Sequence, residues 1–562
     1  MKRSLIKKGM VLALAVIMTI VMAACSDSGK NENTPSSQPA DNTQQPTESA
    51  QQPATGETAQ NPDVPAWQLD TSPVDLTWFV GANWYAHTWG ESLTSKYVTQ
   101  KTGVNVKFEI PSGEANEQIT LMMTSGKLPD LISLGSWESA VKKLWEGDHV
   151  YALNELAEQY DPYFFKVAGD GTLKWYRQAN GNTYGVPNDS YSPNLMHETG
   201  MTAANQTFLV RKDLYEEMGK PDLSTPDGFL NALQLLKDKY PEYKGMPISP
   251  FFAQGNVPYG MTEYLQNLLA VPHEKDGKVY DRITDGDYVA WLKTFRTAYE
   301  RGLINVDFLV DSDTQVEEKT NNARYFMMIR EWTGMTAVNP MLAASGNPDS
   351  YYIAVDGPQN SNGDSAKLFP GNMDGWMVTM ISKSTKNPER AIRFLTYLAS
   401  EEGQKDLFLG KEGETWDTTS GKPQLKPEMV QLLASDIAKM EKDYGILDTY
   451  WMMRNPVIVN QWRPEKAPVI KQMEDFANAQ ADIDSGIYKG LDPLGDSDVA
   501  VAWSRISQNW EETLPELITA KDEAAFDKIF ENFLARRVSY GFDQVMAHRQ
   551  TELDARKAKM AE

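Results

Sequence analysis

One cysteine, Cys25, and five scattered histidines are all the soft or readily titrating ligands in this 562-residue chain. A single unpaired cysteine neither staples a fold nor builds a zinc site. His87, His149, His197, His273 and His548 stand singly, so no local spacing suggests a metal-binding or catalytic pair. There is no Gly-x-x-x-x-Gly-Lys-Ser/Thr phosphate loop, no Gly-x-Gly-x-x-Gly opening a helix, no Gly-x-Ser-x-Gly elbow and no His-Glu-x-x-His. Positive charge is also scarce: 54 Lys and Arg stand against 77 Asp and Glu, a net charge of −23. That balance disfavours binding to nucleic acid or to an anionic membrane surface. The acidic runs "DSDTQVEE" (311–318) and "DIDSG" (482–486) place carboxylates two apart, as calcium loops do. Neither keeps the Asx, Gly and distal Glu that such a loop needs, so both read as solvated acids. No metal and no cofactor is expected.

The N-terminus is where the cysteine gains a meaning. Lys2, Arg3, Lys7 and Lys8 precede an uncharged apolar run from Met10 to Met22, followed by Ala23 and Ala24. This is the layout of a signal peptide over 1–24, and the run is too short for a comfortable membrane span. Removing it takes four positive charges and no negative ones, deepening the net charge from −23 to −27. "VMAAC" resembles a bacterial lipobox, with Met22 where leucine is usual and Val21 before it. The resemblance implies that Cys25 becomes the acylated first residue, and two or more acyl chains give stable anchoring. After Cys25 the chain turns to Ser, Thr, Gln, Asn and Pro up to residue 66. Such a segment buries too little to offset chain entropy. It reads as a disordered tether whose root-mean-square reach is about 35 Å.

The remaining body, from Trp67 onward, exceeds what one hydrophobic core serves, so two lobes are expected. "PVDLTWFV" gives a strand over Leu76 to Val80. Val104, Val106 and Phe108 alternate as a second strand, a helix closes at Gly126, and "LISL" (131–134) is a buried strand. This alternation predicts an α/β layer. Further on, Thr225 with Pro226, and Asn387 with Pro388, read as N-cap and first helical residue. "YFMMI" reads as a buried strand, and from about residue 425 the pattern is mostly helical. No internal repeat is present.

Aromatic residues recur beside polar ones at the ends of these strands. They are Asn83, Trp84 and Tyr85 after the first strand; Trp137 and Glu138 after "DLISL"; Arg330, Glu331 and Trp332 after "YFMMI"; Asp374 and Trp376 before "MVTMI"; and Trp451 in a later loop. Ligands of α/β sheets sit at strand carboxyl ends. Sugar rings offer C–H faces that stack on indole and hydroxyl rims that need carboxylates and amides. These eleven residues are the candidate ligand-binding set for a carbohydrate. Arg330 or Arg454 could pair a carboxylate if the sugar were acidic. A glycosidase would need only two carboxylates across a cleft, so a secreted carbohydrate-active enzyme stays open as an alternative, as does a structural surface lipoprotein.

The body resembles the extracellular solute-binding proteins of the maltose-binding class, above all their large Gram-positive lipoprotein members. The resemblance is carried by "SGKLPDLISL" (125–134), "NGNTYGVP" (180–187), "FLVRKDLYEEMGKPDLSTPDGF" (208–229) and "WMVTMISKSTKNPERAIRFLTYLASEEGQKDLFLGKEGETW" (376–416). Asn182 stands where the family customarily has Lys. The resemblance implies a two-lobe, periplasmic-binding-protein-like α/β fold with hinge strands and a helical C-terminal region. One lobe would hold 67–187 plus about 372–440, the other 190–370 plus about 445–556. The hinge falls at Tyr184, Gly185, Val186 and Pro187. It further implies a non-catalytic, monomeric receptor, lipid-anchored on the extracellular face, that delivers an oligosaccharide to the permease subunits of an ABC importer. The calcium loop of some members is absent from "KYPEYKGMPISP" (239–250).

Overall fold

The structure, a computed structural model, describes residues 61–255, 259–371 and 373–561. The signal sequence, Cys25 and the tether up to residue 60 lie outside the described residues. No helix of the described residues is long and apolar enough to cross a membrane.

Two sheets organise the body. The first runs Val104–Glu109, Val74–Val80, Leu131–Gly135, Met377–Ile381, Val186–Pro187. Its first three strands are parallel, and the last two join antiparallel. Parallel neighbours need a crossover, here the helices Leu93–Thr102 and Ala115–Ser125. Local chemistry fixes their ends: Ser92 accepts from the Ser95 N–H, and Gly103 and Gly126 close the two helices in the left-handed conformation. Leu131–Gly135 is buried at every residue, so its sequence is a continuous apolar run rather than an alternating one.

The second sheet runs Tyr352–Ala354, Gln206–Arg211, Tyr325–Glu331, Ser249–Ala253. Beneath it lies the largest core, where Phe229, Phe251, Trp291 and Phe295 meet edge to face or tilted. The helices Asp498–Ile518 and Glu523–Tyr540 close this core through Trp510 and Phe533, whose rings lie 4.9 Å apart. Each sheet therefore has its own interior, the basis of a two-lobe α/β fold.

The chain passes between the sheets three times: after Pro187 towards Gln206, from Ala354 back to Met377, and from the 450s to the helix Pro468–Ala479. That last helix packs on the second sheet, Gln472 donating to the Ala354 carbonyl. Residues Tyr450 to Met453 belong to the interior of the first lobe, and Val459 and Trp462 pack with Phe408 and Trp416.

Most expected elements are present, with small differences. The first strand begins at Val74, two residues before the expected Leu76. Thr225 caps its helix through the Gly228 N–H, with Pro226 at the first position. Asn387 occupies the N-cap before Pro388, but its side chain makes no capping hydrogen bond. Of Tyr184 to Pro187 only Val186 and Pro187 form a strand, paired with Thr379 and Val378.

Candidate functional site

A hollow of about 160 Å³ opens where the first sheet's parallel strands end. The loop after Val80 supplies Asn83 and Trp84, and the loop after Gly135 supplies Trp137 and Glu138. Trp376 enters just before Met377, and Gly113 and Glu114 close one side. Two of the three indoles are strongly exposed: Trp84 at 64% and Trp137 at 48%. Soluble proteins rarely leave two tryptophans beside one hollow in water without a partner for them.

The rings are held from below. Trp451, only 7% exposed, sits 4.3 Å from the Trp376 ring centre and 5.6 Å from that of Trp84. Trp84 and Trp376 are near parallel, 16° apart at 6.2 Å. Gly135 makes room for the Trp137 indole, because a Cβ there would stand 2.7 Å from the ring. Packing from beneath thus places the exposed faces of Trp84 and Trp376.

Beneath the indoles the three crossings are tied to one carboxylate. The Trp376 indole N–H donates to Asp189 Oδ2 at 3.0 Å. Arg454 Nε donates to Asp189 Oδ1 at 2.8 Å and its Nη2 to Oδ2 at 2.7 Å. Arg454 Nη1 reaches Asp448 at 2.5 Å, and Arg463 donates to both oxygens of Asp448. Burial works against ionising Asp448, but the Arg454 and Arg463 guanidiniums outweigh it and hold the carboxyl well below its usual range. Asn188 adds a backbone and side-chain exchange with Met377 and donates to the Trp451 carbonyl. Gly375 (φ +61°) passes so close that an added Cβ would collide with the Asn188 carbonyl oxygen. Gly375→Ala is expected to lower stability by about 2 kcal/mol or more, read as a lower urea midpoint, because it combines left-handed strain with a backbone clash.

The candidate residues divide clearly. Asn83, Trp84, Trp137, Glu138 and Trp376 line the hollow, and Trp451 supports it. Tyr85 is a core residue, 3% exposed, its hydroxyl donating to the Thr449 carbonyl. Trp332 is likewise packed inside the second lobe, its N–H donating to the Ala204 carbonyl. Asp374 faces away: it accepts from Trp175 Nε1 at 2.6 Å. Glu331 accepts from the Tyr264 hydroxyl at 2.7 Å. Arg330 lies over Phe252 and under Gly334, and burial lowers its pKa. Arg454 is saturated by Asp189 and Asp448, so it is not free to pair a ligand carboxylate. At the expected hinge, Gly185 packs against Val378, and the Tyr184 hydroxyl accepts from Asn180.

Sequence reasoning missed Glu114, Asp189 and Asp448. It also missed Tyr259, 44% exposed on the second lobe. Burial, and then the charges of Glu263, Glu138, Glu331 and Asp492, raise the Tyr259 phenol. Glu138 from the first lobe and Glu331 from the second thus both contribute to the field at the Tyr259 phenol. Among the described residues no cluster of three or more His, Cys, Asp or Glu could hold a metal.

Residues 88–405, more than half of the sequence, match the family profile for bacterial extracellular solute-binding proteins. The chain belongs to that family. Lipoprotein LipO of Bacillus subtilis (strain 168) is 22% identical over 346 residues, 59% of this chain and 65% of LipO, so under two thirds of the relative is spanned. Among solved structures, this solute-binding protein is similar to the alginate-binding protein AlgQ2 without calcium ion (TM-score 0.63, 18% identity, 86% of this chain and 98% of the other). It is also similar to the S. pneumoniae ABC-transporter substrate-binding protein FusA in complex with kestose (TM-score 0.64, 16% identity, 86% and 100%). An extracellular solute-binding protein from Bifidobacterium longum subsp. infantis gives a TM-score of 0.62 at 15% identity, over 86% and 98%. At these identities the likeness is one of fold. It makes this solute-binding protein a two-lobe α/β molecule whose family and neighbours are binding proteins.

Proposed function

We propose that this protein is the receptor of an ABC importer, capturing an extracellular oligosaccharide between its lobes and passing it on unaltered to permease subunits. The observation that carries this reading is the pair of exposed indoles, Trp84 and Trp137, fixed beside a hollow with Asn83 and Glu138 at its rim. Indole faces meet sugar C–H faces, and the amide and carboxylate meet hydroxyls. An alginate-binding protein and a kestose complex among its fold neighbours agree with a sugar. On this reading Cys25 is the lipidated anchor, residues 26–66 the tether, and the monomeric body works at the extracellular face of the membrane. The lobes are 67–187 with about 372–440, and 190–370 with about 463–556. The packing of Trp451, Met452 and Trp462 supports taking 445–462 with the first lobe rather than the second. The hinge runs from Tyr184 to Pro187.

The test is thermal unfolding of the purified protein against a panel of oligosaccharides, with the sugar recovered and weighed by mass spectrometry. A true ligand at a hundred times its dissociation constant stabilises by about 2.7 kcal/mol, and its mass stays unchanged on long incubation. No shift with any sugar overturns the receptor reading. A cleaved product favours a glycosidase instead, for which Glu114 and Glu138 are the pair to examine: burial, and then the Glu114 charge, raise the Glu138 carboxyl.

A further inference from the structure

The two glutamates of the hollow occupy an unusual place. Glu114 is the N-cap of Ala115–Ser125, and Glu138 is the N-cap of Ser139–Glu146. Helix starts expose N–H groups and partial positive charge, so they suit anions. Ser, Thr, Asp and Asn are the usual N-caps, since their short side chains reach back to the backbone. Neither glutamate side chain makes such a bond. At the second helix that duty falls to Asn116, whose Oδ1 accepts from the Ala140 N–H at 2.8 Å and from the Ser139 hydroxyl at 3.1 Å. Glu138 is thereby released from capping. Each helix start, where a ligand carboxylate would otherwise be welcome, is guarded by a carboxylate of the protein itself.

Nothing nearby neutralises them among the described residues. Among the described residues neither carboxylate takes part in a hydrogen bond or an ion pair, and no Lys or Arg lines the hollow. The lysines one turn beyond Glu138 are engaged elsewhere, Lys142 with Glu146 and Lys143 with Asp496. Arg454 is saturated by Asp189 and Asp448, and Arg549 is paired with Asp492. The internal positions outside the described residues, 256–258 and 372, read Asn-Val-Pro and Asn and bring no charge. Two unpaired carboxylates beside three indoles, Trp84, Trp137 and Trp376, have the composition that attracts a cation: ring faces for its C–H and N⁺ surface, and opposite charge at the rim.

On the reading that the hollow seats a sugar, we propose that the unit bound there carries a free ammonium: the ligand class is an oligosaccharide containing a 2-amino sugar, and uronic or sulfated units are rejected. The ammonium sits between Glu114 and Glu138 while the ring lies on the indoles. A neutral unit keeps the stacking but leaves both carboxylates unpaired. An anionic unit meets like charge at both helix starts.

A glycan array carrying amino, N-acetylated, neutral and uronic oligosaccharides tests this, followed by calorimetry on the best amino member and its N-acetylated twin. The expected result is binding by amino members, about tenfold tighter than the twin at low ionic strength, with the gap narrowing as salt is raised. In the double variant Glu114→Gln, Glu138→Gln the ratio of the two affinities falls to about two or less. A purely structural role for the glutamates would change both affinities alike and leave the ratio intact. The proposal is overturned if the twin binds as tightly as the amino sugar, or if the gap survives the double variant. Binding confined to uronic members overturns it while leaving the receptor reading standing, and silence across the whole array overturns both.

Discussion

Arg454→Met is expected to cost about 3 kcal/mol of folding stability, the low end for breaking a buried ion pair. The low end applies because Arg454 keeps 24% of its side-chain surface exposed, while Asp189 keeps only 13%. The loss comes from what remains: Asp189 would sit under the indoles with, among the described residues, only the Trp376 N–H to meet it. Asp448 keeps Arg463 and is more accessible, so it contributes less. Urea melts of wild type and variant measure the difference. Part of its pH dependence follows from the depressed Asp448 carboxyl, which loses one of its two guanidinium partners. Such a group contributes stability that is full above the unfolded value of about 4 and is lost as pH falls through the folded one. The gap between the two proteins should therefore be widest near neutrality and shrink below about pH 4. An unchanged midpoint at pH 7 would mean that the three crossings are not held together by this network.

The second large effect concerns the rings themselves. Trp376→Ala is expected to weaken ligand binding about thirtyfold or more, ~2 kcal/mol, as buried tryptophan anchors do when truncated. The indole does two jobs: it continues the stacked surface between Trp84 and Trp451, and it anchors that surface to Asp189. Trp332→Ala is the contrasting variant. Its ring is packed in the second lobe and its N–H is satisfied by Ala204. Removing it should cost about 3–5 kcal/mol of stability while sparing affinity in the protein that remains folded. Equal losses of affinity in both variants would remove the placement of the ligand at the first lobe's indoles.

These two tryptophans show where sequence reading reaches and where it stops. Both follow or precede a strand, and both stand beside acids, so from the chain alone they were equivalent candidates. Strand periodicity assigns faces only within the strand; the loop residue just outside it has no period to follow. Trp332 turns inward over the second core, whereas Trp376 turns onto Trp84. Tyr85 and Trp84 are adjacent, yet one is buried against Thr449 and the other stands in water. Glu114 escaped notice because "SGEAN" carries no aromatic marker, although it lines the same hollow as Trp84.

The sequence by itself determined the alternation of strands and helices, the helix ends at Gly126 and Thr225, and the family. All of these are written in periodicity, in turn chemistry and in the order of short motifs along the chain. It also determined that aromatic and acidic residues gather at strand ends. Only the tertiary structure decided which of them share a surface. Asp189 and Arg454 lie 265 residues apart, and Trp376 joins them from a third segment. No local pattern records a meeting of three crossings, because it is fixed by how two separately folded sheets sit on their connecting strands.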